Sequence, residues 1–310
     1  MLPAILAHTV GPEGEGAASL ARWSFDPIII LVVLLPAWLY ARGLRNWYFR
    51  PSWFASWRPF AFYAGLFSLV IALCSPIDAM SDDLFFMHMA QHMLLQLIAP
   101  PLILLGAPTT PILRGLPRRV RQGFVRPIVR NQLARALFGL IANPILVWAA
   151  FAAANWGWHL GGGLYQSALE SQGIHYLQHV SFMAVAMLWW VTVIDAKPLR
   201  SRLNYPARAL FIGLTMFQNI YLGASLTFRK TLLYPHYADR THIWNWTPLE
   251  DQQAGGALMW VGGDTLLLIV AVYILSVWFD AREKQSREEE RRADERAARA
   301  AAQEKRTPVQ

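Results

Sequence analysis

Uncharged apolar stretches alternate with short polar connections along most of this chain. Seven stretches reach, or nearly reach, the roughly 20 apolar residues that a helix needs to cross a hydrocarbon core. They cover residues 25–41, 59–74, 84–106, 137–159, 175–195, 207–228 and 256–279. Buried soluble helices share this periodicity, but seven such runs in one chain exceed what a soluble core accommodates. The expected fold class is therefore all-α, a seven-transmembrane helix bundle. An outer N-terminal segment (1–24) precedes the membrane domain (25–279), and a charged tail (280–310) follows it.

Charge supplies the expected orientation. Lys and Arg number 4 in residues 42–58, 7 in 107–136, 4 in 196–208 and 9 in 280–310. The alternate connections hold 1 in residues 1–24, none in 75–83, none in 160–174 and 3 in 228–255. An asymmetry of 24 against 4 puts the N-terminus outside and the C-terminus in the cytoplasm by the positive-inside rule. The basic and apolar stretch Arg114–Arg135 suits the anionic inner leaflet. The tail Asp280–Arg306 carries many opposite charges at i,i+4 and reads as a solvated helix continuing the last span.

Composition agrees. Hydrophobic residues make up 55% of the 310 positions and charged ones 15%, with mean hydropathy +0.28, whereas a soluble domain carries about 25% charged residues. The net charge of +8 could attract nucleic acid, but its confinement to one set of connections makes a lipid bilayer the expected partner and nucleic acid none. Cys74 is the sole cysteine, so no internal disulfide and no CxxC motif exists. The opening MLPAILAHTV lacks a basic flank, and no cleaved signal peptide is expected there.

The candidate chemistry is in the histidines. On the expected topology all eight (His8, His88, His92, His159, His175, His179, His236 and His242) fall on the outer side. His88 and His92 open the third span, and His175 and His179 open the fifth. Residues at i,i+4 share a helix face with β-carbons about 5–6 Å apart, so each pair can converge on one ion. One pair alone reads equally as hydrogen-bonded structure; two pairs at the same depth point to a metal or haem. Met89 and Met93 crowd the face that His88 begins, and Cys74 closes the second span at its outer end. Thioether, thiolate and imidazole together suit Cu(I) ahead of Zn(II). Packing explains each methionine singly, and Cys74 also reads as a small buried hydrophobe. Asp264, about eight residues into the last span, is costly in lipid and needs a partner. It can fix a ligating histidine from the second shell, accept protons, or pair with an outer-half group such as Asn219. The tryptophans at span ends read as an aromatic belt.

The stretch Cys74–Pro108, CSPIDAMSDDLFFMHMAQHMLLQLIAPPLILLGAP, resembles the CtaG-type cytochrome c oxidase assembly family through its SPID turn, its His-x-x-x-His pair and its APPLILLGAP ending. These are polytopic proteins, distinct from the single-span copper chaperones sometimes given the same name. GIHYLQHVSFMAVAMLWW (Gly173–Trp190) is similar to the family's second histidine helix, and NWGWHLGGGLYQSAL (Asn155–Leu169) to the outer end of its fourth. The resemblance covers about residues 20–280. It implies a non-enzymatic role in maturing haem–copper oxidase, helping copper reach an oxidase centre from the outer side of a bacterial cytoplasmic membrane, with oxidase subunits or another copper chaperone as partners. His88, His92, His175 and His179 carry over as matching positions, and His159 by order and spacing. Met89, Met93 and Cys74 rest on donor softness, not on the family.

Two other classes compete. A b-type haem electron-transfer protein would need axial histidines from opposing helices with room for a macrocycle, which side-by-side pairs do not favour. A proton-coupled transporter built on Asp264 would need matching ionisable residues in the inner half-spans to continue the path, and the lack of such a match argues against it. Metalloprotease chemistry wants HExxH, but Met89-Ala90-Gln91 and Tyr176-Leu177-Gln178 separate the pairs, with no carboxylate to activate water.

Overall fold

The computed structural model describes residues 22–159, 163–240 and 244–304. His8 and His242 lie outside the described residues. Among those described, all regular structure is helical. The chain begins with α1 (Pro27–Arg45), α2 (Arg58–Cys74) and the short α3 (Pro76–Ser81). Then come α4 (Phe85–Leu105), α5 (Thr109–Gly115), α6 (Gln132–Ile141), α7 (Pro144–His159) and α8 (Gly163–Glu170). α9 (Gln172–Val193), α10 (Tyr205–Thr227), α11 (Pro248–Ala257) and α12 (Gly263–Glu304) complete it.

Among the described residues five helices are long and apolar enough to cross a membrane: α1, α4, α9, α10 and the rod that α11 and α12 form together. α2 is shorter, at 17 residues. The stretch expected as one span over residues 137–159 is two helices, α6 and α7, meeting at 59°. Pro144 explains the break: its ring removes a backbone donor and drives the preceding residue out of the helical region. The Asn143 side chain accepts from Ile145 N at 2.9 Å, so α7 restarts with a local cap.

Polar and apolar positions are inverted relative to a soluble protein. Leu31, Phe67, Val180, Phe217 and Ile269 are all more than 60% exposed on the outward faces, while His88, Gln91, His92, Gln96, Asn155, Gln178, His179 and Asp264 are buried. That is the arrangement a hydrocarbon solvent selects, and the chain is a multi-pass membrane protein.

Contacts sort the helix termini into two ends. At the first, Ser24 N donates to Cys74 O at 2.9 Å, the Tyr176 hydroxyl donates to Asp26, and the Tyr234 hydroxyl donates to His159 O at 3.0 Å. This end gathers the start of α1, the end of α2 and the histidine-bearing ends of α4, α7 and α9. At the second, Arg58 donates to Leu105 O at 2.7 Å, Arg202 to Gly139 O at 2.8 Å, and Arg208 pairs with Asp195 at 3.1 Å. These are called below the histidine end and the arginine end. Beyond the arginine end α12 runs on to Glu304, laced by the exposed i,i+4 pairs Arg287–Glu283, Arg291–Glu295 and Arg292–Glu288.

Candidate metal centre

The histidine end is built around the first turn of α4. Leu84, which precedes that helix, has no side chain able to cap it. Asp251, fully buried on α11, does so instead: its carboxylate accepts from Phe85 N at 2.7 Å and Phe86 N at 3.0 Å. Two orphan donors are satisfied, and a negative charge sits where the helix dipole favours it. Asp251 is itself held where it is needed, because α11 starts with a capping box of Thr247 and Glu250 over Pro248.

This anchored turn presents His88 and His92, fully or almost fully buried, to His179 of α9. One ligating nitrogen from each of the three lies within 4.8 Å of the others. Nitrogens about 2 Å from a shared ion stand roughly 3–4 Å apart, so small ring rotations close the trio. His175 flanks it, half-buried, its ring 5.1 Å from that of His88 and 4.3 Å from that of His179. His159 approaches from α7, its ring 6.0 Å from that of His92. The five predicted histidines thus form one continuous group at one end of the bundle.

Neighbouring groups set the tautomers. The Tyr237 hydroxyl donates to Ser81 O at 3.2 Å, and a hydroxyl has one proton, so its contact with His88 Nδ1 at 3.1 Å has the imidazole as donor. Tyr165 contributes its hydroxyl to the same oxygen at 3.2 Å. Burial raises both phenols well above their usual range, so they stay protonated. His88 Nε2 then carries a lone pair, and it has no hydrogen-bond partner. His159 repeats the logic: Nδ1 donates to Asn155 O at 2.7 Å, and Nε2 is unpartnered. This is how metal-binding imidazoles are usually oriented, through a bond to the nitrogen that does not ligate. His179 Nε2 is also unpartnered, and in His92 neither nitrogen has a partner. Four buried imidazoles with unanswered lone pairs fit a cation better than they fit a finished polar core.

The other expected site residues divide. Met89 and Met93 line a cavity of about 40 Å³ that begins at His92 and His159 and runs deeper along the bundle. Cys74 is buried at the end of α2 but does not belong to the convergent group. Asp264 does not orient a histidine. Its Oδ1 accepts from Asn219 Nδ2 of α10 at 3.0 Å, the outer-half partner expected as one alternative. Its Oδ2 is buried without a partner. His236 stands outside the group, bonded to Asp82 O at 3.0 Å, and burial is the main cause lowering its pKa. Sequence reasoning missed Asp251, Tyr165, Tyr237 and Met259, the last also lining the cavity.

A multi-pass helical membrane protein with a buried histidine cluster at one end of its bundle is the class these features define. The family model for the cytochrome c oxidase caa3 assembly factor matches residues 38–281, and the chain belongs to that family. It is similar to uncharacterized proteins of Mycobacterium bovis and Mycobacterium tuberculosis, 27% identical over 267 residues, a match covering 84% of this chain and 40% of each relative. An uncharacterized protein of Mycobacterium leprae is 23% identical over 259 residues, covering 83% and 39%. The chain therefore spans about 40% of the length of the curated relatives it matches. No solved structure matches it.

Proposed function

We propose that this protein handles copper during oxidase assembly. It would hold Cu(I) at His88, His92 and His179 and release it to an oxidase subunit or another copper chaperone. The observation that carries this reading is the convergence of three buried imidazoles within 4.8 Å. A three-coordinate imidazole site suits a cargo ion, because an incoming donor can take the open position and begin ligand exchange. His175, half-buried at the edge of the group, is the first ligand an arriving ion meets, and His159 adds a donor on the far side. Cys74 contributes packing. No step requires catalysis by the chain itself, in keeping with an assembly-factor family.

The same reading has seven crossings in the cytoplasmic membrane of a bacterium, with the histidine end outside. Supporting it, α2 is tied to Leu105 through Arg58 at one end and to Ser24 through Cys74 at the other, so it covers the same depth as α4. The bent pair α6–α7 likewise reaches from Arg202 to Tyr234. The basic connections then face the cytoplasm together.

A haem reading is less well supported. Ring centroids 4.3 to 6.2 Å apart leave no slot for a macrocycle among the imidazoles. A reducible Soret band in the purified protein would reverse that preference. The central test is the double variant His88→Ala/His92→Ala, expressed in the native host. Oxidase activity and oxidase copper content are expected to fall while the variant inserts in normal amount. Normal copper content would overturn the copper role.

A further inference from the structure

The cavity beneath the trio has a composition of its own. Three thioethers border it, from Met89, Met93 and Met259, together with His92 and His159. Their meeting is built into both helices. On α4, with about 100° per residue, His88 and His92 lie about 40° apart, and Met89 and Met93 follow about 60° and 100° beyond His92. His92 is therefore the hinge of the face, with His88 on one side and the thioethers on the other. On the opposing rod, Gly255 and Gly262 face α4: a β-carbon at Gly255 would stand 2.4 Å from Phe85 Cδ1 and 3.3 Å from Met89 Cγ, and one at Gly262 3.2 Å from Leu258 Cδ1 and 3.5 Å from the Met93 methyl. Met259 lies between those glycines, so the two α4 methionines bracket it.

Two π-helical turns frame the same space. Leu94–Ile98 interrupts α4 and Leu258–Gly262 joins α11 to α12. Such turns occur frequently at functional sites, where they re-aim side chains. Here they carry Gln96 and Met259 into the lining.

Charge is the independent argument. Asp264 holds a carboxylate inside the bundle with one neutral partner, Asn219, and its second oxygen is unanswered. Asn219 lines the cavity. A buried carboxylate in a span is costly unless a cation balances it or a proton neutralises it, and no Lys or Arg pairs with it among the described residues. A monovalent cation in the cavity would answer it across a single amide.

We infer that this cavity is a second binding position for Cu(I), formed by the thioethers of Met89, Met93 and Met259 with His92, and charge-balanced by Asp264 through Asn219. The inference rests on the copper reading and deepens it: the protein has two positions that share one imidazole. Thioethers select Cu(I) over Zn(II), so the lower position is selective where the trio is not. Passage between them is ligand exchange at constant oxidation state. Bonds from copper to His88 and His179 break as bonds to sulfur form; His92, neither of whose nitrogens is engaged, has one lone pair as a neutral ring and ligates one position at a time, so with both positions filled the three thioethers hold the lower ion alone.

The test is anaerobic titration of the full-length protein in nanodiscs against a competing Cu(I) chelator, with a parallel Zn(II) titration. The wild type is expected to bind two Cu(I) and one Zn(II). Met93→Leu/Met259→Leu, a volume-conserving change, is expected to bind one Cu(I) and still one Zn(II). Asp264→Asn should weaken the second Cu(I) at least tenfold and leave Zn(II) unaltered. Selenomethionine-labelled wild type should show selenium–copper scattering by X-ray absorption, a reading that needs no variant. One Cu(I) in wild type and double variant alike, without that scattering, would reduce the cavity to a water-filled chamber and overturn this inference while sparing the trio. No Cu(I) bound by the wild type at all would overturn both.

Discussion

The two ends of α4 are held by opposite charges, and they are held differently. At its start Asp251 reaches in from 166 residues away and meets two backbone donors in full burial. At its end Arg58 donates to Leu105 O and, outside the helix, to Trp53 O, from a half-buried position beside Trp53 and Trp57. Both complement the helix dipole. The start of α4 is thus capped by a fully buried carboxylate and its end by a half-buried guanidinium.

The largest effect expected from this contrast is that of Asp251→Ala. It strands two amide donors in a dry site at about 1–3 kcal/mol each, so thermal unfolding in detergent should shift strongly downward and metal affinity should fall with it. Tyr237→Phe comes next. It removes the acceptor that fixes His88 as the Nδ1–H tautomer, and such oriented partners are worth about 10–100-fold in metal affinity. Zn(II) titration should show a loss of about tenfold, with a smaller drop in melting temperature than that of Asp251→Ala. Arg58→Gln should cost about 1 kcal/mol of stability and leave metal affinity unchanged; a loss of affinity there would break the distinction between the ends.

The smallest expected effect belongs to His236. Its folded pKa is lowered, chiefly by burial and then by Arg240, with Asp82 and Asp83 opposing. The unfolded chain therefore takes up the proton first, and the stability tied to neutral His236 is lost as pH falls through about 6.5. His236→Gln should flatten the pH dependence of melting just below that value. A steeper dependence in the variant would contradict the assignment.

Much of this was legible in the sequence. The pairs His88/His92 and His175/His179 declare a shared face by spacing alone, and the side bias of the histidines suggested a common depth. His159 followed from order. What spacing cannot express is contact across long separations. Asp251 caps a helix far behind it, and Tyr237 sits in an irregular connection with no periodicity to mark its partner. Met259 was hidden by a π-helical turn, which displaces side chains from the 3.6-residue register on which helical-face reasoning depends. Asp264 was correctly singled out as costly and Asn219 named among its possible partners, but which of the alternatives it meets is decided by packing. The break at Asn143–Pro144 was visible as a proline within an apolar run and was overridden by the run's hydropathy.

The Asp251 bond also bears on when this molecule becomes competent. A nascent chain has exposed both histidine pairs to the translocation machinery long before residue 251 leaves the ribosome. Until then the first turn of α4 has no cap, and His88 lacks Tyr237. The convergence of the three histidines is thereby deferred to the final stages of synthesis, and a truncated or half-made product has no ordered trio.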